Sequence, residues 1–245
     1  MMAMNSSAEK RAFERRFFLA IAILFPIAVL IGFAPTYYLK GFFNSPPVPR
    51  FIVHVHGILM ALWVLLFVAQ VFFIRTTKIK VHQRLGFAAI ALGVLIIISG
   101  LFTAIAASKY GSSSTPPGVK PLEFLIVPFF DVIIFGILFA AAVYYRRNAP
   151  NHKRLMLLTV LNFLPPALAR YPFGLTETYG PLWFFGVPDV LAIIFVIVDT
   201  WKNRKLNKVF LAGTILLIAS HWLRLAVSSS TVWVNFATWL TSVAG

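Results

Sequence analysis

Two long apolar runs joined by a short basic turn fill residues 50–100 and strongly constrain how this chain can fold. The first run is FIVHVHGILMALWVLLFVAQVFFI (51–74) and the second is LGFAAIALGVLIIISGLFTAIAAS (85–108). The turn between them holds four basic residues. A helix needs roughly 20 mostly apolar residues to cross a lipid bilayer. The segment is therefore predicted to be a hairpin of two membrane-spanning helices.

Further apolar runs of this kind follow one another along the chain. Of its 245 residues, 60% are hydrophobic and only 12% are charged, which is too little charge to cover a water-facing surface. The predicted spans are 17–34, 51–74, 85–108, 121–145, 155–171, 188–201 and 209–228. The sequence thus predicts an all-α fold, a polytopic membrane bundle of seven transmembrane helices in a single integral membrane domain.

The basic residues of the turns predict which way the bundle faces. Sixteen Lys and Arg residues lie in the N-terminal segment and alternate turns, and four lie in the opposite turns. Because cytoplasmic loops carry the excess of positive charge, residues 1–16 and the N-terminus are expected in the cytoplasm and the C-terminus outside. The tail 229–245 is expected at the membrane interface. The net charge of +15 belongs to these turns, so a nucleic-acid partner is not expected.

A weak internal repeat accompanies this pattern. The tetrapeptide HQRL opens the third span, HKRL opens the fifth, and Asn207-Lys208 occupies the corresponding place before the seventh. These matches favour an arrangement of one helix followed by three related hairpins.

Polar residues within the spans mark candidate sites, because ionisable groups are costly in a bilayer. The candidates for ligand binding are Asp131, Asn162, Arg170, Asp189 and Arg224. The four charged candidates, with His56 and His221, lie between the midplane and the outer ends of their predicted spans. This predicts an outward-opening polar cavity for a small amphipathic or anionic ligand. The alternative is that these charges only hold the helices together.

Histidines form a second candidate set, for haem b. His82 and His152 are both predicted at the cytoplasmic end, and His56 and His221 toward the outer end, so two ligand pairs at two depths are expected. His56 is assigned inward because its helical face also carries Gln70. Three alternatives remain: exposed helix caps for His82 and His152, headgroup contacts for His56, and a lone metal site of His56, His221 and Asp131.

Small residues on the third span have two interpretations. Gly86, Gly93 and Gly100 recur every seven residues on the face that begins with His82. Glycines at such a spacing let helices approach closely, and they would also leave room for a flat cofactor.

The segments HVHGILMALW, VHQRLG and NHKRLMLLTVLNFLPPALAR together resemble a family of bacterial multi-pass membrane proteins with an H-x-R-L-G turn. That resemblance covers about residues 50–171. It implies only a fold and a location, the bacterial inner (plasma) membrane, since the family has no established activity. The paired histidines are more loosely similar to di-haem b-type cytochromes. The fourth span departs from that pattern because it contains no histidine.

Two functions are therefore expected as alternatives. The first is a haem b-binding redox protein that exchanges electrons with quinone. The second is a non-enzymatic accessory subunit or carrier, with the lipid bilayer and another membrane protein as its surroundings. A retinal-binding function is excluded, because the seventh span has no lysine for a Schiff base.

Overall fold

The computed structural model describes residues 7–44, 50–111, 115 and 118–243, and within them all regular structure is helical. The first residues of the predicted cytoplasmic segment (1–6) and the end of the predicted tail (244–245) lie outside the described residues. The helices are α1 (Ser7–Phe33), α2 (Phe51–Arg75), α3 (Ile79–Tyr110), α4 (Pro121–Phe124), α5 (Ile126–Tyr144), α6 (Ala149–Asn162), α7 (Leu164–Leu168), α8 (Leu175–Tyr179), α9 (Pro181–Phe184), α10 (Gly186–Asn203), α11 (Lys208–Val227) and α12 (Thr231–Val243). A π-helical segment, Ala34–Tyr38, extends α1, and a 3₁₀ turn, Tyr145–Arg147, ends α5.

Six helical stretches of the described chain are long and apolar enough to cross a membrane. They are Glu9–Tyr38, Phe51–Arg75, Ile79–Tyr110, Pro121–Arg147, Pro181–Asn203 and Lys208–Val227. Large apolar side chains such as Leu65, Ile197 and Ile215 point outward from these helices. A bilayer is the solvent that such a surface requires. The protein is therefore a multi-pass membrane protein built as a helical bundle.

The fifth predicted span, 155–171, is not one continuous helix. α6 stops at Asn162, and a separate short helix, α7, starts at Leu164. The break precedes Pro165 and Pro166, which cannot donate a backbone hydrogen bond and whose rings collide with the carbonyls of the preceding turn. This proline pair limits α6 to 14 residues, so the predicted seventh membrane-length helix is absent from the described chain.

The broken helix nevertheless runs through the centre of the bundle. Near its start, Arg154 forms an ion pair with Asp199 of α10, with Nη2 and Oδ1 2.5 Å apart. At its end, Asn162 donates from Nδ2 to the backbone oxygen of Asp131 in α5, at 2.9 Å. Every residue from 157 to 165 is buried. The turns 75–78, 145–148 and 204–207, which carry Lys and Arg residues, lie at the same end of the bundle as the Arg154–Asp199 pair. We call this end the basic end.

Aromatic packing joins the hairpin of α2 and α3 to this centre. The ring of Trp63 in α2 contacts Phe135 and Phe139 of α5 edge-on, with ring centres 5.2 Å apart in both pairs. A Cβ added at Gly93 of α3 would overlap the Phe139 ring, and one added at Gly100 would overlap Val132. These two glycines therefore serve close helix packing.

The last helix, α12, packs across the end opposite to the basic end. Trp233, Ala237 and Thr241, spaced four residues apart, form its buried face. The indole nitrogen of Trp233 donates to the backbone oxygen of Leu122 in α4, at 2.9 Å. The tail is thus a short helix held against the start of the α4–α5 segment.

The substitution Gly32→Ala should destabilise the bundle, because a Cβ at this position would overlap the backbone carbonyl of Ala167 in α7. Backbone atoms cannot move aside as the end of a flexible side chain could. We expect a loss of about 1–3 kcal/mol, typical of overpacking. The matched control is Gly86→Ala, where nothing lies within 4 Å of the new Cβ. It should be neutral or slightly stabilising because alanine favours helix. The measurement is thermal unfolding in detergent, and equal melting temperatures of the two variants would contradict this packing.

Candidate functional site

A buried ion pair between α5 and α11 forms the first half of a polar cluster in the bundle. Nη1 of Arg224 lies 2.6 Å from Oδ1 of Asp131 and also donates to the backbone oxygen of Val127, at 2.8 Å. Arg224 is 2% exposed and Asp131 is 6% exposed. Opposite charges in such surroundings must be paired, since removing one partner leaves a buried charge without compensation.

A histidine–aspartate contact between α10 and α11 forms the second half. Nδ1 of His221 lies 2.7 Å from Oδ1 of Asp189. The other carboxylate oxygen of Asp189 accepts a hydrogen bond from Nε1 of Trp222, at 2.8 Å. His221 is fully buried, whereas Trp222 is 39% exposed. Asp189 therefore connects a buried imidazole to a side chain on the outer surface of the bundle.

Phe185, at the junction of α9 and α10, links the two halves. Its ring stacks on the imidazole of His221 with ring centres 4.4 Å apart and 14° between the planes. The guanidinium carbon of Arg224 lies 4.7 Å from the centre of the same ring. His221 and Arg224, one helical turn apart on α11, thus contact one aromatic ring. We call Asp131, Asn162, Phe185, Asp189, His221 and Arg224 the α11 cluster.

Several polar atoms of the α11 cluster are buried without a hydrogen-bond partner in the described part of the chain. They are Nε2 of His221, Nε and Nη2 of Arg224, and Oδ1 of Asn162. Nε and Nη2 form one edge of the guanidinium, a two-donor fork suited to an oxygen acceptor. Buried polar groups in proteins are almost always hydrogen-bonded, so such atoms indicate water, a ligand or a chemical role.

Arg170, which was also predicted to bind a ligand, lies outside the α11 cluster. Its guanidinium lies over the ring of Phe33 in α1, 4.8 Å from the ring centre, and Nη1 donates to the backbone oxygen of Pro166, at 2.5 Å. If the predicted span 155–171 were one continuous helix, Arg170 would lie on one helical stripe with His152 and Asn162. The break after Asn162 interrupts that stripe and directs the following residues toward α1.

His56 lies within the hairpin, away from the contacts of the α11 cluster. Its Nδ1 is 3.0 Å from Oγ of Ser99 in α3, and a Cβ on Gly100 would lie 3.2 Å from its ring. His54 faces the opposite way, where its Nδ1 is 3.4 Å from the hydroxyl of Tyr37. Among the described residues, no ring contact joins His56 to His221, and no three metal-ligating side chains converge. The alternative of a metal site from His56, His221 and Asp131 therefore has no geometric support.

His82 and His152 come together at the basic end. Their ring centres are 6.4 Å apart, with 73° between the planes. Nδ1 of His152 donates to the backbone oxygen of Ala142, at 2.8 Å. The side-chain amide of Gln70 lies 2.5 Å from Nδ1 of His82. Gln70 and His56 both face α3, which is consistent with the helical face predicted for them, and they contact its opposite ends.

Sequence reasoning did not identify Phe185, Trp222 or Ser99 as partners of the polar side chains. The two aromatic residues stand beside candidates in the sequence: Trp222 follows His221, and Phe185 precedes Asp189 by one helical turn. This closeness in sequence to His221 and Asp189 was the signal that could have identified the two aromatic residues.

A cavity of about 450 Å³ opens at the same end of the bundle as the α11 cluster. It lies between the start of α4 and α12, and its lining includes Lys120, Glu123, Ser229 and Asn235. None of its lining residues belongs to the α11 cluster, which is closed over by packed side chains in this structure.

Comparisons with known proteins gave no match for this chain: no protein family, no curated protein and no solved structure is similar to it.

Proposed function

We propose that this membrane protein binds the carbonyl head of a small amphipathic molecule of the quinone class at the α11 cluster, as a carrier or as a subunit that presents the molecule. The observation that carries this proposal is the unpartnered donor edge of Arg224 beside Nε2 of His221. A carbonyl oxygen accepts hydrogen bonds from the free edge of Arg224. It also accepts one from Nε2 when His221 is protonated, because Nδ1 already donates to Asp189.

The charges of the cluster favour a neutral head. Arg224 and Asp131 compensate each other, and Asp189 is compensated only when His221 is protonated. A carboxylate ligand would add a further negative charge to a site enclosed by apolar helices, where uncompensated charge is costly. A carbonyl adds no charge and still satisfies the donors.

The access route that fits an amphipathic ligand leads from the bilayer past Trp222. This side chain faces outward and donates to Asp189, whose other oxygen contacts His221. Displacement of one indole would therefore open the cluster toward lipid, and the apolar tail would remain between the helices and the bilayer.

The second part of the proposal concerns orientation. The distribution of basic residues supports a cytoplasmic basic end in a bacterial inner membrane, with the α11 cluster in the outer half. α6 and α7 together would then supply the seventh crossing, because their contacts extend from the Arg154–Asp199 pair to the packing of Ala167 against Gly32. Such a crossing is compatible with a broken helix because its backbone is buried in protein.

Cysteine labelling tests this orientation directly, since the natural chain contains no cysteine. Leu206→Cys and Ser229→Cys mark the two ends of α11, and Asn148→Cys and Phe173→Cys mark the two ends of the α6–α7 segment. In intact cells, a membrane-impermeant maleimide should label positions 173 and 229 but neither 148 nor 206. Equal labelling of 148 and 173 would show that α6–α7 does not cross. The reverse pattern at 206 and 229 would invert the topology.

Binding of a short-tailed quinone to the purified protein tests the ligand assignment. Arg224→Met should weaken binding by at least tenfold, because a charge-assisted hydrogen bond contributes about 1.5–3 kcal/mol. The matched control is Arg154→Met, which removes another buried arginine from an ion pair with an aspartate, at the basic end. It should leave quinone affinity unchanged.

A fatty acid serves as the competing ligand in the same titration. Binding of the fatty acid with no binding of quinone would show that the head is a carboxylate. If neither molecule bound, the unpartnered atoms would be satisfied by water and the proposed function would be wrong.

A further inference from the structure

We propose that the cavity between α4 and α12 binds the headgroup of a zwitterionic phospholipid of the ethanolamine class. This inference is independent of the α11 cluster and concerns a separate site. It rests on the position of the cavity at the boundary of the membrane-spanning helices and on two opposite charges in its lining, Lys120 and Glu123.

The cavity lies at the depth of lipid headgroups. One membrane-length helical stretch begins at Pro121, and another ends at Val227. The lining residues Lys120 and Ser229 stand one and two residues beyond these limits, outside the apolar lengths. The volume of about 450 Å³ is within the usual range for small-molecule sites. A phospholipid headgroup can therefore enter the cavity from a bilayer that surrounds the bundle.

The helix α12 has the surface pattern of a helix that lies between lipid and water. At spacings of three and four residues, its exposed apolar side chains form one stripe, which consists of Val232, Phe236, Trp239 and Val243. A second exposed stripe is polar and consists of Thr231, Asn235, Thr238 and Ser242. Thr231 and Asn235 also line the cavity. An acyl chain can lie along the apolar stripe while its headgroup occupies the cavity beside the polar stripe.

The walls of the cavity are fixed by hydrogen bonds of Trp233. Its indole nitrogen donates to the backbone oxygen of Leu122 in α4, at 2.9 Å, and its backbone N–H donates to Oγ of Ser230, at 3.2 Å. In the described part of the chain, the side chains of Ser229 and Asn235 have no hydrogen-bond partner. These two side chains are therefore available to the phosphate and glycerol oxygens of a headgroup.

The charges of the lining select a zwitterion. Nζ of Lys120 lies 3.3 Å from Oε1 of Glu123, and the Lys120 side chain is 81% exposed. An exposed ion pair of this kind is weak, so its two members can exchange each other for charged groups of a ligand. The phosphate would pair with Lys120 and the ammonium group with Glu123. An anionic headgroup without an amine would place a second negative charge beside Glu123.

Native mass spectrometry of the full-length protein, titrated with phospholipids that share the same acyl chains, tests this assignment. The probes are phosphatidylethanolamine, phosphatidylcholine and phosphatidylglycerol. We expect the ethanolamine lipid to bind at least about threefold more tightly than the other two, which is the effect of one exposed charge contact. The reason is that its ammonium group donates hydrogen bonds to a carboxylate, whereas the methylated choline nitrogen has no hydrogen to donate.

Substitutions of the two charged lining residues test their separate roles. Glu123→Gln should remove the preference for the ethanolamine lipid and strengthen binding of phosphatidylglycerol, because the repelling carboxylate is gone. Glu123→Asp should keep the preference, which separates loss of the charge from damage to the fold. Lys120→Met should weaken binding of all three lipids, since each carries a phosphate. The matched control is Lys109→Met, which removes another exposed lysine at the same end of the bundle and should leave all three affinities unchanged.

Glycerophosphoethanolamine, the same headgroup without acyl chains, distinguishes a lipid from a soluble ligand. It should fail to displace the ethanolamine lipid at equal concentration, and displacement would overturn the lipid assignment. Equal binding of the three lipids by the natural chain, or a preference for phosphatidylglycerol, would overturn the proposal as well. Arg224→Met should keep the lipid preference, which separates this site from the quinone site.

Discussion

The burial of charge in a bundle surrounded by lipid is the constraint on which this structure depends. Arg224 and Asp131 lie in the interior, where each would be unstable alone, and their contact joins α5 to α11. Asp189 and His221 join α10 to α11 in the same way. Because apolar contacts alone drive helix association weakly in a bilayer, such polar contacts select which helices become neighbours. The position of α11 between α5 and α10 follows from its two polar side chains.

At the basic end, ion pairs join α6 to its neighbouring helices. Arg154 pairs with Asp199 through two nitrogens, and Lys153 reaches Glu14 of α1 at 2.6 Å. These pairs hold the start of α6 between α1 and α10, and they leave the other basic residues of the turns unburied. The pair of His82 and His152 lies beside this set. The buried helix α6 therefore connects the basic end, where it begins, to the α11 cluster, which it reaches at Asn162.

Much of the fold follows from the sequence, since six of the seven predicted spans correspond to the six membrane-length helices of the described chain. The pairing of Arg224 with Asp131 could also have been predicted from the sequence. Buried charges must balance, and both residues lie at similar depths in their predicted spans. The break after Asn162 was missed. The predicted span 155–171 runs through Pro165 and Pro166, although prolines at these positions interrupt the backbone hydrogen bonds.

The partners of the polar groups were harder to predict for a physical reason. Periodicity gives the direction of a side chain on its own helix but not the neighbour that it meets. Gln70 was assigned to the face of His56, and both side chains do face α3, but the sequence did not predict His82 as the partner of Gln70. The two meet because α2 and α3 are antiparallel, so that the end of one helix lies beside the start of the other. Phe185 contacts both His221 and Arg224 only because the start of α10 packs against α11.

The most direct measurement of the central claim is a double-mutant cycle between Asp131 and Arg224, with unfolding in detergent as the readout. If the two side chains form one buried pair, Asp131→Asn and Arg224→Met should each cost about 3–5 kcal/mol. The double variant should then cost at least about 2 kcal/mol less than their sum, well outside ordinary additivity. Additive effects would mean that the two charges do not meet inside the bundle, and would contradict the account.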